Sequence, residues 1–187
     1  MSISIYTIKH PLALSWDSCL LQEELSSFEE FDLIQKIVLA LIYEASRKFI
    51  HINKLYLQKI NSLEIFNILD NNFAYCIITN TYITQIAGKK ILSVLPKSTI
   101  YSDTIQKHDL ENLCKNYKLS MCNIKIIIIE DFLRSKIVKN ILNLMSELYI
   151  EPQNLQICCV SCSSNTLESL NLTCSDLNIY TVKLINS

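Results

Sequence analysis

The stretch Lys125–Asp131, KIIIIED, constrains the fold more than any other part of the chain. Its unbroken isoleucine run, Ile126–Ile129, leaves no polar side for water. As a strand it must be covered on both faces, and β-branching favours that extended state. Two acids, Glu130 and Asp131, end the run. The following segment, Arg134–Tyr149, reads as a helix with one apolar stripe of Ile137, Ile141, Leu144, Met145 and Leu148. A doubly covered strand feeding a helix is half of a parallel crossover, so the expectation is an α/β fold with a parallel sheet and helices on both faces. Ligands of such sheets bind beyond the carboxyl ends of the strands, where the strand order switches. The architecture therefore nominates Glu130 and Asp131.

The rest of the chain fits an alternating pattern. Ser2–Ile8 reads as a short strand and Ser15–Cys19 as a turn of helix. Ser27–Lys48 carries the clearest helical period, with Phe28, Phe31, Ile34, Val38, Leu41 and Ile42 recurring at steps of three and four. Ser26 or Ser27 caps it, with an acid three residues on, and Arg47 and Lys48 suit its carboxyl end. Residues 50–72 allow either a short helix or a hairpin. Phe73–Thr79 and Tyr82–Ile86 are rich in Tyr, Ile and Thr and read as strands. Gly88, the one glycine of the chain, reads as a turn before a strand at Lys90–Leu95. Ser98–Tyr117 reads as a helix and Ile124–Ile129 as the central strand. Leu155–Val160 follows as a strand, Asn165–Leu172 as a helix and Ile179–Ile185 as a last strand. From residue 88 the expected order is β-α-β-α-β-α-β, in one domain spanning 1–187.

Composition narrows the function classes. With 17 basic and 18 acidic residues and no dense Lys/Arg cluster, nothing calls for a nucleic acid or an anionic membrane. The apolar run at Ile126–Ile129 is too short to span a bilayer. The first residues show neither a secretion signal nor a transit peptide. Without an export signal, the eight cysteines read as reduced, mostly buried thiols. Cys159 and Cys162 form a C-x-x-C, but no second ligand pair or nearby histidine completes a zinc set, so no metal site is expected. Abundant Ile, Asn, Lys and Leu with little Gly, Ala or Pro is the mark of AT-rich coding.

Several segments, taken in order, resemble one family. Lys9–Leu12 (KHPL) follows a short strand. Leu41–Ala45 (LIYEA) ends the long helix. Gln85–Pro96 (QIAGKKILSVLP) is similar to a strand motif I-x-G-K-K-I-x-x-V-P. KIIIIED and its helix are similar to a ribose-phosphate-binding strand and helix, and Asp176–Asn186 (DLNIYTVKLIN) to a late strand P-x-x-x-L-Y-T-A-x-I-D. Together they resemble uracil phosphoribosyltransferases. The resemblance implies a type I phosphoribosyltransferase-like fold, transfer of ribose 5-phosphate from phosphoribosyl pyrophosphate to uracil, magnesium only if that donor is bound, and a homodimer. Compartment follows from composition and resemblance together: a plastid-encoded protein of the chloroplast stroma, or a cytoplasmic protein of an AT-rich organism.

Site residues implied by the resemblance are partial. Asp131 falls on the aspartate of the family's D-P-x-x-A-T-G-G-S loop, and Glu130 adds an acid where the family is apolar. The glycine pair is gone from the next residues, FLRSKIV, leaving Arg134, Ser135 and Lys136 as phosphate-side candidates. For the pyrophosphate, the family's L-R-A-G turn would follow the strand ending at Leu95. Here Ser98 takes the arginine position and Ile100 the glycine, with Lys97 as a substitute charge lacking arginine's fork. His108–Asn123 fills the interval of the family's flap, and its uracil-recognition tail would lie beyond Ser187. The resulting expectation is a catalytically inactive scaffold with degraded ligand loops and catalytic roles assigned to no residue. The alternatives are an active enzyme with an altered site completed by a partner chain, and a regulatory RNA-binding relative.

Overall fold

Two groups of strands build the structure, a computed structural model that describes residues 3–22, 25–50, 52–70, 72–95, 97–102, 104–172 and 176–185. The elements run β1 (Ser4–Thr7), α1 (Pro11–Leu20), α2 (Ser27–Phe49), β2 (Ile52–Lys59), β3 (Ser62–Leu69), β4 (Ala74–Thr79), α3 (Thr81–Val94), β5 (Ser98–Ser102), α4 (Lys107–Tyr117), β6 (Ile124–Phe132), α5 (Ser135–Glu147), β7 (Leu155–Ser163), α6 (Ser164–Asn171) and β8 (Asn178–Ile185). Six strands form one parallel sheet in the order β1-β8-β7-β6-β4-β5, while β2 and β3 pair only with each other, antiparallel. From β4 the chain steps outward to β5, then crosses back to β6 and continues the other way. The strand order therefore switches between β4 and β6.

The isoleucine run explains the layers. Ile127 and Ile129 join one core with α2 residues Ile37, Val38 and Leu41 and α3 residues Ile83, Ala87 and Ile91. Ile126 and Ile128 join the other with α4 and α5 residues, among them Leu110, Leu113, Val138 and Ile141. Neighbouring β4 divides its side chains the same way, and all of its residues are buried. Period-two alternation between two apolar layers is what a doubly covered strand requires. The architecture is α/β, with a central parallel sheet, helices on both faces and a type I phosphoribosyltransferase-like layout.

Four expectations are corrected between Thr81 and Tyr117. Tyr82–Ile86 and Lys90–Leu95 are not strands, and Gly88 is not in a turn; Thr81–Val94 is the single helix α3. Ile83, Ala87 and Ile91 recur at four-residue steps and are buried, and Asn80 caps the helix by accepting from the Ile83 amide at 2.7 Å. That period and cap outweigh the strand preference of Tyr, Ile and Thr. Gly88 lies on the helix face toward β5, where an added Cβ would stand 3.4 Å from Ile100 Cδ1. Ser98–Tyr117 is likewise not one helix: Ser98–Ser102 is the edge strand β5, and the helix begins at Lys107. The alternation consequently starts at β4, ahead of residue 88.

Elsewhere the pattern holds. Ser26 and Glu29 form a reciprocal capping box at α2. The stripe of α2 packs on the sheet through Ile34, Val38, Leu41 and Ile42, but Phe28 and Phe31 lie on the exposed side. Residues 52–69 resolve as a hairpin, and every β2 residue is exposed. Ser2, Pro96, Cys174 and Asn186 lie outside the described residues.

Candidate functional site

Thr79 and Asn80 leave β4 directly beside Glu130 and Asp131 leaving β6, because Thr79 pairs with Ile129 in the register. The amide of Asn80 bridges the gap, its Nδ2 donating to Asp131 Oδ1 at 3.0 Å. The same carboxylate oxygen accepts from the Phe132 amide at 2.9 Å. On the far side, Ser161 of β7 donates its hydroxyl to the Asp131 carbonyl at 3.3 Å. Asn80 is thus doubly used: Oδ1 caps α3 and Nδ2 holds the strand-end aspartate. Next to it, Thr79 is buried and its hydroxyl has no partner. An unmatched buried hydroxyl at a switch point is a donor waiting for an acceptor.

Glu130 behaves differently from the solvated acid or ligand contact that its place suggested. Its side chain is only 1% exposed, and it folds back on the loop ahead of α5. Oε2 accepts from the Arg134 amide at 2.9 Å, and Oε1 accepts from Arg134 Nε at 2.9 Å and from its terminal nitrogen at 2.5 Å. Burial pushes the carboxyl above its ordinary range, outweighing the downward pull of the Arg134 bonds and charge. Arg134 is thereby turned toward Glu130, with two guanidinium nitrogens donating to Oε1 and its backbone amide to Oε2. Ser135 is half-buried and Lys136 exposed in the first turn of α5.

At the flank, Tyr82 donates its hydroxyl to Glu30 of α2 at 3.0 Å. Its phenol is pushed up to about 12 by burial, then by the bond to Glu30 and the nearby charges of Glu30 and Asp131. It holds its proton throughout the physiological range and acts as a donor only.

The structure gathers Glu130, Asp131, Arg134, Ser135 and Lys136, as the sequence suggests, but excludes Lys97 and Ser98. These two enter β5 at its amino end, where Ser98 pairs with Tyr75. Four strand residues separate that end from Thr79 and Ser102, roughly 13 Å at the usual rise. Lys97 adopts φ 51° and its carbonyl accepts from the Tyr75 amide, while Ser98 donates to the Leu95 carbonyl at 2.6 Å. Both serve the turn. The misplacement follows from reading α3 as a strand ending at Leu95; the strand beside β6 ends at Thr79. The segment that leaves the sheet beside Asp131 is therefore Asn80 and the first turn of α3. Thr79 and Asn80 go unnominated for the same reason, although the apolar run AYCIIT followed by a capping Asn carries the same signature as KIIIIED, and Ser161 lies one residue past the strand read at Leu155–Val160.

Cys159 and Cys162 both face the core on the α4–α6 side and are buried. A thiol–thiol hydrogen bond and burial raise Cys159, and the same bond lowers Cys162. Among the described residues, no helix is long and apolar enough to cross a membrane.

No family model matches the chain, and no curated protein matches it. Solved structures do match. One is the AQ2163 protein from Aquifex aeolicus, with a TM-score of 0.72 at 11% identity, covering 97% of this chain and 88% of that one. At that identity the likeness shows a shared fold.

Proposed function

We propose that this chain is a divergent relative of the uracil phosphoribosyltransferases that keeps the scaffold, has lost the transfer reaction, and acts by association with a second copy of itself. One observation carries the loss of chemistry: three of the groups nominated to hold a sugar phosphate, Glu130, Asp131 and Arg134, are bound within the protein. Arg134 pairs with Glu130, and Asp131 is taken up by Asn80 and by its own loop amide. A donor sugar with magnesium would need a carboxylate open to hydroxyls or metal, and small residues whose amides converge on phosphate. The loop Phe132–Ser135 instead carries Phe, Leu and Arg side chains, and its Arg134 amide is bound to Glu130. The donor set does not fit the cofactor. Incubating purified protein with uracil, phosphoribosyl pyrophosphate and magnesium tests this reading. No UMP above a protein-free control is expected, and turnover would establish the alternative of an altered, working site.

The hairpin supports the positive half. Leu55, Leu57, Phe66 and Ile68 lie on one face and Tyr56 and Ile65 on the other, so neither face is polar. An isolated two-stranded ribbon is marginal in water. Ten large apolar side chains, each at least 37% exposed, occur in residues 52–69. They amount to something on the order of 800 Å², the contribution of one partner to a standard interface. A two-fold pairing of hairpins would cover the same surface on both chains. Sedimentation at micromolar protein is expected to give a dimer. A monomer would contradict this half and leave the hairpin for a different protein.

A further inference from the structure

One cavity lies at the β1 edge of the sheet, away from β4 and β6. It has a volume of about 720 Å³ and lies over β1, between the start of α1 and the last turns of α2. A second depression of about 340 Å³, between α1 and α2, continues it, since Ile8, His10 and Glu44 line both. The first half is cationic. Lys9, Arg47 and Lys48 line it, with Glu44 as its single acid. Arg47 contacts Glu44 at 3.2 Å, which leaves an excess of two positive charges. The second half is mostly apolar, lined by Trp16, Leu39, Ala40 and Tyr43, with Lys36 and Glu44 beside them.

A buried donor inside the cationic half marks it as more than a basic surface. Tyr180 lines the cavity, is 3% exposed, and its hydroxyl has no hydrogen-bond partner. Burial and neighbouring groups, Tyr6 and Glu44 among them, push that phenol up to about 12, so the oxygen keeps its proton and can donate. Its ring stacks on Tyr6 at 5.0 Å, and the exposed Lys48 ammonium sits 3.6 Å over the Tyr6 ring. Lys48 is thus an exposed cation held at the Tyr6 ring, a contact it can exchange for an anion. His10 Nδ1 accepts from the Leu12 amide at 3.3 Å, which leaves Nε2 as the protonated, donating nitrogen of the neutral ring.

We infer that this groove binds a phosphate monoester of an aromatic or heteroaromatic group, with the dianion at Lys9, Arg47 and Lys48, the Tyr180 hydroxyl donating to it, and the ring in the depression beside Trp16 and Tyr43. The two-charge excess selects a dianion over a monocarboxylate. The combined volume is that of a small-molecule site. The inference is independent of the reading of the β4–β6 end.

Calorimetric titration with phenyl phosphate, inorganic phosphate, phenol and phenylacetate tests it. Phenyl phosphate is expected to bind more tightly than either of its halves. Lys48→Ala and Tyr180→Phe should each weaken both phosphates about tenfold, the usual loss for a bond to a charged group. Tyr43→Ser should weaken phenyl phosphate only, and Asn80→Ala should change neither. Without ligand, Tyr180→Phe should melt at or above the wild-type temperature, because it removes a hydroxyl that has no partner. Absence of saturable heat, affinities unmoved by Lys48→Ala and Tyr180→Phe, or a lower melting point for Tyr180→Phe would each overturn the assignment. Equal binding of phenylacetate would overturn the choice of a phosphate.

Discussion

Strands β4 and β2 use the same apolar vocabulary and meet opposite fates. In β4, AYCIIT, every side chain is buried; in β2, INKLYLQK, every one is exposed. The difference lies in connectivity. β4 pairs on both edges and is covered on both faces because the crossovers α3, from β4 to β5, and α4, from β5 back to β6, lie on opposite sides, whereas β2 and β3 have only each other. Burial is thus conferred by crossovers, and apolar residues without them stay exposed. The sheet carries the fold, and the hairpin carries the proposed encounter.

Substitutions that remove the same chemistry in the two regions should separate most sharply. Ile128→Ala deletes a fully buried side chain between β6 and the helices and should cost about 2–5 kcal/mol in chemical denaturation. Leu57→Ala, on the hairpin, should change the stability of the dilute protein by about 0.5 kcal/mol or less. Similar losses would mean that the hairpin is part of the core and would dissolve the contrast.

A smaller loss is expected at the strand-end ion pair. Arg134→Ala leaves the Glu130 carboxylate buried without its partner and should cost about 2 kcal/mol, below the full buried-pair range because Arg134 is half-exposed. A cost near zero would show that the pair does not hold the loop.

The pH dependence sharpens the same point. Because burial raises the Glu130 carboxyl, the folded chain keeps that proton at pH values where the unfolded chain has lost it. Stability from this group is fully present below the unfolded value of about 4.3 and falls as pH rises through the folded value. The margin of wild type over Glu130→Gln should therefore narrow with rising pH. Melting curves from pH 4 to 8 would reveal a widening margin if the ion pair outweighed burial.

The smallest effect on folding should come from charging the hairpin. Phe66→Glu is expected to leave the melting temperature of dilute protein unchanged within a degree or two, while abolishing the dimer in sedimentation. A dimer that survives it would move the interface elsewhere.

Much of the fold was legible because its strongest signals were local. The isoleucine run, the capping box of α2 and the stripe of α5 each declared one period in one window. The segment Tyr82–Leu95 misled because residue type and period disagreed there: Tyr, Ile and Thr favour strands, while Ile83, Ala87 and Ile91 mark a helix. That error moved the pyrophosphate-side candidates to Lys97 and Ser98, at the wrong end of the sheet. The acids were located correctly, but the fate of Glu130 was not legible. Whether a strand-end carboxylate turns outward or back onto a guanidinium four residues later is decided by tertiary burial, which no spacing encodes.

A thermal-shift titration with phosphoribosyl pyrophosphate and magnesium probes the β4–β6 end most directly, since any ligand that binds only the folded state must raise the melting temperature. With Glu130, Asp131 and Arg134 committed to internal partners, no shift is expected up to millimolar donor. A saturable rise that Asp131→Ala removes would contradict the account.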